Sequence, residues 1–383
     1  MDFSFTEEQE AVAQAAAGVF EGMVTPARVA EVEHSDDRVD DELWAALARS
    51  NLLGLAVPEA HGGSGLGLTE LALVLEQQGR SVAPVPLWAT TVLGALPLAR
   101  FGSTAQQQRW LPGVVAGEVR LTAALTEAAA SANRRPAVRA RRQGGGLVLD
   151  GTTRAVPQAH VATRVLVPAA TDDGVVVALV DPGASGVTLE QVTTTDRQIH
   201  PHLHLASVAV ADDDVLVGPA DGPEAVSWML DRARVGLCAI QLGVTEEAIR
   251  RAAAYLNERH QFGRPLSSFQ GTKLRAADAY IDSECIRVTL WLAAWQIDTG
   301  RPASDAVATA MWWASEAGQR VVHATQHLHG GLGADIEYPI HRYFLWGKQI
   351  ELMLEGPSAQ LSRMGVVLAD RYRRPLAATG ASS

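Results

Sequence analysis

Cysteine is nearly missing from this chain: 383 residues carry two, Cys238 and Cys285. Both sit in apolar helical surroundings. Two thiols build no disulfide framework, and their scarcity suits a reduced compartment. Long apolar runs are missing too. A stretch such as VGLCAIQLGV is shorter than the ~20 residues that a helix needs to cross a bilayer, so no membrane span is expected. The opening MDFSFTEEQE is acidic and lacks the apolar segment of a secretory signal. A cytoplasmic protein is expected. Positive charge is in deficit, with 32 Lys and Arg against 43 Asp and Glu and a net charge of −11. Nucleic acid is a poor match for such a surface, because phosphate binding needs clustered positive charge. No repeat of fixed period occurs. No G-x-S-x-G elbow is present to present a nucleophilic serine. His323 and His327 lie one helical turn apart with His329 beyond, but no H-E-x-x-H base and no nearby cysteine accompany them. They read as loop or core histidines, and no metal is expected.

What is present is apolar bulk, 47% hydrophobic residues, in a chain long enough for two or three domains. The texture changes twice. Residues 1–118 repeat apolar positions at helical spacing, as in DELWAALARSNLLG and LTELALVLEQQGR, and Thr6 with Gln9 fits a capping box. Residues 119–217 carry short β-branched runs such as GVVVALVDPG between Gly, Asp and Pro turns. Residues 218–375 return to long Ala- and Leu-rich helical patterns, and 376–383 read as a frayed tail. Helix, strands, helix predicts an α+β protein with a β-domain between two helical ones.

Two glycine clusters stand out. HGGSGLG, His61–Gly67, follows no strand pattern and reads as an interhelical loop rather than a phosphate cradle. HLHGGLG, His327–Gly333, follows a strong helix. It reads either as a C-cap or as a backbone that a flat or anionic cofactor can approach closely. His202 and His204 alternate on a strand and share a solvated face. The nine tryptophans read as core.

RHQFGRPLSSFQ, Arg259–Gln270, crowds charge, aromatic, glycine and proline at a helix end. It resembles the R-x-x-F-G signature, with its F-Q ending, of the acyl-CoA dehydrogenase family. MDFSFTEEQEAV, VPEAHGGSGLGLTELALVLEQQGR, ALTE (Ala124–Glu127) and HLHGGLGADIEYPIHRYF resemble further segments of that family, in the same order, so the likeness runs along nearly the whole chain. It implies a helical N-domain, a middle β-barrel domain and a C-terminal four-helix bundle, with FAD at a subunit interface.

The likeness also implies roles. Arg259 matches the arginine on the FAD pyrophosphate, a task suited to a planar guanidinium fork. Phe262 and Gln270 match positions along the adenosine half, Gly330 and Gly331 the glycines of close approach, and Thr126 the threonine on the flavin ring. His327 stands where a glutamine is usual. Glu355, in MLEGPSAQ, matches the glutamate that takes a proton beside the thioester carbonyl while a hydride leaves for flavin N5. Some relatives place that base earlier; here the matching place holds Ala233 and Arg234, and Arg234 is expected on the substrate side. Arg134 and Arg135, with Arg139, Arg141 and Arg142, are expected near CoA phosphates or an acidic carrier-protein helix, or else in a solvated loop.

The chain departs from the family pattern in several places. Glu355 comes one residue later after Lys348 than usual, Pro357 replaces a threonine, and Leu345 and Trp346 replace R-D. TEAAASANRR replaces T-E-P-x-x-G-S-D. Ala155 and Pro157 replace an aromatic shield and a hydroxyl beside the flavin. Two classes of function follow. One is an FAD-dependent dehydrogenase of an acyl-CoA or acyl carrier protein thioester, a homodimer or homotetramer that passes electrons to an electron-transfer flavoprotein. The other is a structural partner in a heteromeric dehydrogenase. A flavin oxidase or monooxygenase of the same fold is a weaker third.

Overall fold

The computed structural model describes residues 4–130 and 136–378. Arg134 and Arg135 lie outside the described residues. The first region is helical: α1 (Glu7–Met23), α2 (Pro26–Glu33), α3 (Asp41–Arg49), α4 (Leu68–Ser81), α5 (Leu96–Phe101) and α6 (Thr104–Val115). The expected capping box is in place, with Gln9 N donating to Thr6 Oγ1 at 3.2 Å and Thr6 N to Gln9 Oε1 at 3.1 Å. α4 is capped from far along the chain: the Asp298 carboxylate accepts from Leu68 N and Thr69 N, each at 2.9 Å. This satisfies two free amides and neutralises the positive helix end. The glycine-rich loop before α4 is interhelical, and backbone packs where a Gly63 side chain would stand.

The middle region holds β1 (Leu121–Ala123), α7 (Thr126–Ala130), β2 (Arg139–Gln143), β3 (Gly146–Thr153), β4 (Arg164–Ala170), β5 (Val175–Val180), β6 (Val187–Glu190), β7 (His202–Ala211) and β8 (Val215–Val217). The hydrogen-bonded order is β6-β7-β3-β2-β4-β5-β8, with β1 parallel to β4. Both faces of β4 and β5 are covered. Val165, Val167, Val176 and Ala178 face a core inside the sheet, whereas Leu166, Val177 and Leu179 join the core shared with the helices. Side chains alternate across a strand, so a run as uniformly apolar as VVVALV needs two covered faces. The short helix α7 interrupts a stretch whose texture reads as strands; after Thr126, the Glu and Ala residues of TEAAA favour helix.

The last region is α8 (Gly222–Glu258), a hairpin of β9 (His260–Gln261) and β10 (Arg264–Pro265), α9 (Gln270–Asp298), α10 (Ser304–Leu328), α11 (Ile340–Leu352) and α12 (Pro357–Ala378). α12 continues through Leu376, Ala377 and Ala378, residues that favour helix. α8 packs on α4 through paired glycines. A Cβ at Gly79 would lie 2.0 Å from Ile240 O, and one at Gly243 would lie 1.9 Å from Glu76 O. Among the described residues, no helix is long and apolar enough to cross a membrane.

Candidate functional site

The residues singled out in the sequence gather in two places. The first is one end of the helical bundle. α8 stops at Arg259, whose backbone leaves the helix at ψ 120°. The chain then turns back on itself, pairing Gln261 with Arg264. Phe262 and Gly263 fill the turn with φ of 53° and 74°, the left-handed pair that a two-residue hairpin demands. That conformation projects Phe262 outward, 92% exposed. Phe269 lies 6.2 Å from its ring, with the Arg264 guanidinium 4.0 Å above Phe269. Gln270 opens α9 and is exposed.

Leu328 at the end of α10 packs with Ala252 and Leu256 of α8, with Leu266 and with Ala276 of α9, which holds the three helix ends together. His329 is buried, stacked 4.8 Å from Tyr255 and tilted against Tyr338 at 5.3 Å. Its Nδ1 donates to Thr325 O at 2.7 Å. Burial holds its pKa below the usual histidine range. The chain then emerges at Gly330 with φ 59°, and no atom lies within 4 Å of where a Cβ would stand on Gly330 or Gly331. His327 is exposed beside them. An exposed guanidinium, an exposed aromatic ring and a bare glycine backbone fit a pyrophosphate and the adenosine attached to it. On one chain this half-site is an open surface.

The second place surrounds Glu355. α11 ends at Leu352, and Leu354 and Glu355 both take left-handed backbone, φ 50° and 79°. Each non-glycine residue there costs about 1–3 kcal/mol, so its surroundings must over-determine it. Pro357 then starts α12. The Glu355 carboxylate receives Nε of Arg363 at 2.8 Å and Nη2 of the same side chain, and Arg234 Nη2 lies 3.6 Å away. Arg363 also donates to Ala129 O at 2.6 Å, tying α12 to α7, which Thr126 begins. These groups line a pocket of ≈ 390 Å³ with Asp231, Ser304 and Val307. Glu351, one turn earlier, is ion-paired with Lys348 instead.

The seam between the sheet and the helices is nearly shut. Pro157, Gln158, His200, Trp88 and Trp346 leave ≈ 30 Å³, about one water. Gln158 Nε2 donates to Gln198 Oε1 at 2.8 Å, and Gln198 Nε2 to Asp196 Oδ2 at 2.7 Å. Ala155 N donates to His202 Nδ1 at 3.0 Å. A three-ring system does not fit within this seam beside Pro157.

Structure and sequence separate these places. Arg234 and Arg259 are 25 residues apart along α8, about 37 Å at 1.5 Å per residue. No single dinucleotide reaches across that. The fold therefore brings Arg259, Phe262, Gln270, His327, Gly330 and Gly331 to one site, and Arg234, Glu355 and the Thr126 segment to another. Arg139, Arg141 and Arg142 lie on β2, where Arg142 pairs with Asp212 and Arg141 lies 3.9 Å from Asp150. His323 packs 4.8 Å from Phe344, and His204 Nε2 bonds Glu190 at 2.9 Å. Sequence reasoning missed Arg363. Its one signal is position: eight residues beyond Glu355, about two helical turns.

Known proteins resemble the chain along its length. It matches the family models for the acyl-CoA dehydrogenase N-terminal domain over residues 6–118 and C-terminal domain over residues 220–364. Acyl-CoA dehydrogenase FadE27 of Mycobacterium tuberculosis is 39% identical over 378 residues, 97% of this chain and 99% of the relative. A solved structure described as a variant of the Tcur3481-Tcur3483 steroid ACAD is 45% identical with a TM-score of 0.89, covering 96% of this chain and 99% of that one. The ChsE4-ChsE5 complex from Mycobacterium tuberculosis is 39% identical with a TM-score of 0.91 and the same coverage.

Proposed function

The chain belongs to the acyl-CoA dehydrogenase family of FAD-dependent oxidoreductases, and from that premise we propose that it serves acyl-CoA dehydrogenation as one of two complementary subunits around a shared flavin site. The observation that carries this reading is the separation of the two half-sites, about 37 Å along α8. Each cofactor then needs residues of two chains. Here the dinucleotide half is open, while the space beside Pro157 is shut. Arg259 pairs with the pyrophosphate, Phe262 and Gln270 flank the adenosine, and Gly330 and Gly331 let backbone come close. Bound FAD supplies the acceptor for the substrate hydride. Two of the similar solved structures are described by a pair of proteins, which favours unlike subunits over identical ones. An electron-transfer flavoprotein is the expected acceptor of the electrons, and the thioester carrier is CoA rather than a carrier protein.

A second reading keeps a catalytic task on this chain. Glu355 faces a pocket large enough for part of an acyl group and is 14% exposed. It would take the proton from the carbon beside the thioester carbonyl.

The stoichiometry of FAD tests the division of labour. The assembled protein should hold one FAD for every two chains, and Arg259→Ala should weaken it roughly 10- to 100-fold, from the loss of about 1.5–3 kcal/mol of charged hydrogen bonding. A homo-oligomer holding one FAD per chain, indifferent to Arg259→Ala, would overturn the proposal.

A further inference from the structure

We propose that Arg363 is a positioning residue that locks Glu355, and that an acyl thioester enters the ≈ 390 Å³ pocket only when this guanidinium swings off the carboxylate. The inference rests on Glu355 being the proton-accepting group of the pocket.

Two arginines hold one carboxylate, and they are not equivalent. The Arg234 side chain is 3% exposed and sits inside α8's buried face, whereas that of Arg363 is 22% exposed, on α12 at the pocket rim. Only Arg363 has a short path to water. It also makes the closer contact, Nε at 2.8 Å against 3.6 Å for Arg234 Nη2. With Arg363 in place the Glu355 oxygen that receives it has no room for a substrate C–H. With Arg363 withdrawn, Arg234 remains to hold Glu355 in the pocket.

The lock is built into the backbone. The consecutive left-handed residues Leu354 and Glu355 aim the carboxylate at α12, and Gln360 Nε2 donates to Leu354 O at 3.3 Å to hold that turn. Arg363 spans from there to Ala129 O at the far end of α7. One side chain thus joins the base, the last helix and the segment that Thr126 begins. Releasing it frees the pocket wall beside Ala130 and the carboxylate in one movement.

The chemistry that it controls is proton removal. The α C–H bond of the acyl thioester breaks, an O–H bond forms on Glu355, and in heavy water a deuteron returns to the carbon. This exchange needs no oxidant. It reads the base directly, apart from any hydride transfer.

The test uses the full-length, FAD-loaded protein in its native assembly, with Arg363→Leu, Arg363→Lys, Glu355→Gln and the Glu355→Gln/Arg363→Leu double variant. Entry is read by calorimetric binding of S-alkyl-CoA thioethers, with short, medium and polycyclic alkyl groups, which cannot react. The base is read by α-deuterium exchange into the matching acyl-CoA thioesters, followed by NMR. Arg363→Leu should bind the preferred thioether at least tenfold more tightly than wild type. Arg363→Lys, which keeps the charge, should stay within about threefold of wild type. Exchange should rise at least tenfold in Arg363→Leu and vanish in the double variant. Thioether affinity that is the same or weaker in Arg363→Leu across the series overturns the lock. Tighter binding in Arg363→Lys as in Arg363→Leu also overturns it, because loss of packing rather than of the ion pair would then be the cause. Tighter thioether binding in Arg363→Leu, with exchange that persists in the double variant, upholds the lock and removes Glu355 as the base.

Discussion

Glu33 joins three parts of the chain. It lies at the end of α2, and its carboxylate receives Arg342 Nε and Nη2 of α11, each at 3.0 Å, and Arg197 Nη1 of the loop before β7 at 3.2 Å. The side chains of Glu33 and Arg342 are 7% and 6% exposed. Neutralising Glu33 leaves a buried guanidinium without its counter-charge. Glu33→Gln should therefore cost about 3–5 kcal/mol of stability, measured by urea unfolding. A loss below about 1 kcal/mol would mean that water reaches the node. Nothing near Glu33 in the sequence marks it, because both its partners come from other regions.

The buried histidines make a second statement at this scale. Burial lowers the pKa of His329, assisted by Arg251 and opposed by its bond to Thr325. Burial also lowers His200 and His341. The unfolded chain takes up these protons near pH 6.5, while the folded chain resists until lower pH. The unfolded state binds more protons in that window, so stability falls as pH falls below about 6.5, by up to ~1.4 kcal/mol per pH unit for each histidine. His329→Gln should flatten the slope between about pH 6.5 and 5.5 by up to one proton. Unfolding curves at several pH values check this; an unchanged slope would show that His329 protonates freely in the fold.

Among the elements, α4 and α8 carry the contact that joins the first region to the last. Gly79 and Gly243 each lie against backbone of the other helix, closer than any side chain permits. Dispersion and apolar burial across such a crossing depend on that closeness. Gly243→Ala should gain a little helix propensity and still destabilise, by about 1–3 kcal/mol or more, because the helices must part. Thermal unfolding decides; a stabilised variant would mean that the crossing adjusts without cost. In the sequence Gly243 reads only as a glycine inside a helical run. The helices themselves were legible from their periodicity, and the Thr6 cap from its residues. The α7 helix was not, since five residues carry too little pattern.

At the scale of the whole molecule, α9 exposes Leu274, Ile281 and Val288 at 59%, 59% and 60%. They recur every seven residues and so share one helix face. An aligned apolar face beside the Gln270 half-site suits a subunit contact better than open water. Ile281→Arg should shift the protein to smaller species in sedimentation and lower its FAD content together. Dissociation with full FAD retention would detach the cofactor from the assembly.

Residue order was enough to read helical, stranded and helical textures in turn, a helix end at Arg259 and the motifs of the family, because periodicity, caps and compact motifs are local properties; the roles of Arg259 and Glu355 came from the likeness to that family. Residue order could not reveal that these two places are held apart by the length of α8 between Arg234 and Arg259, that Trp88 and Trp346 close the seam beside Pro157, or that Arg363 grips Glu355. Those facts depend on which side chains meet when distant segments pack. Packing is settled by shape, burial and charge across the folded chain rather than by neighbours in sequence.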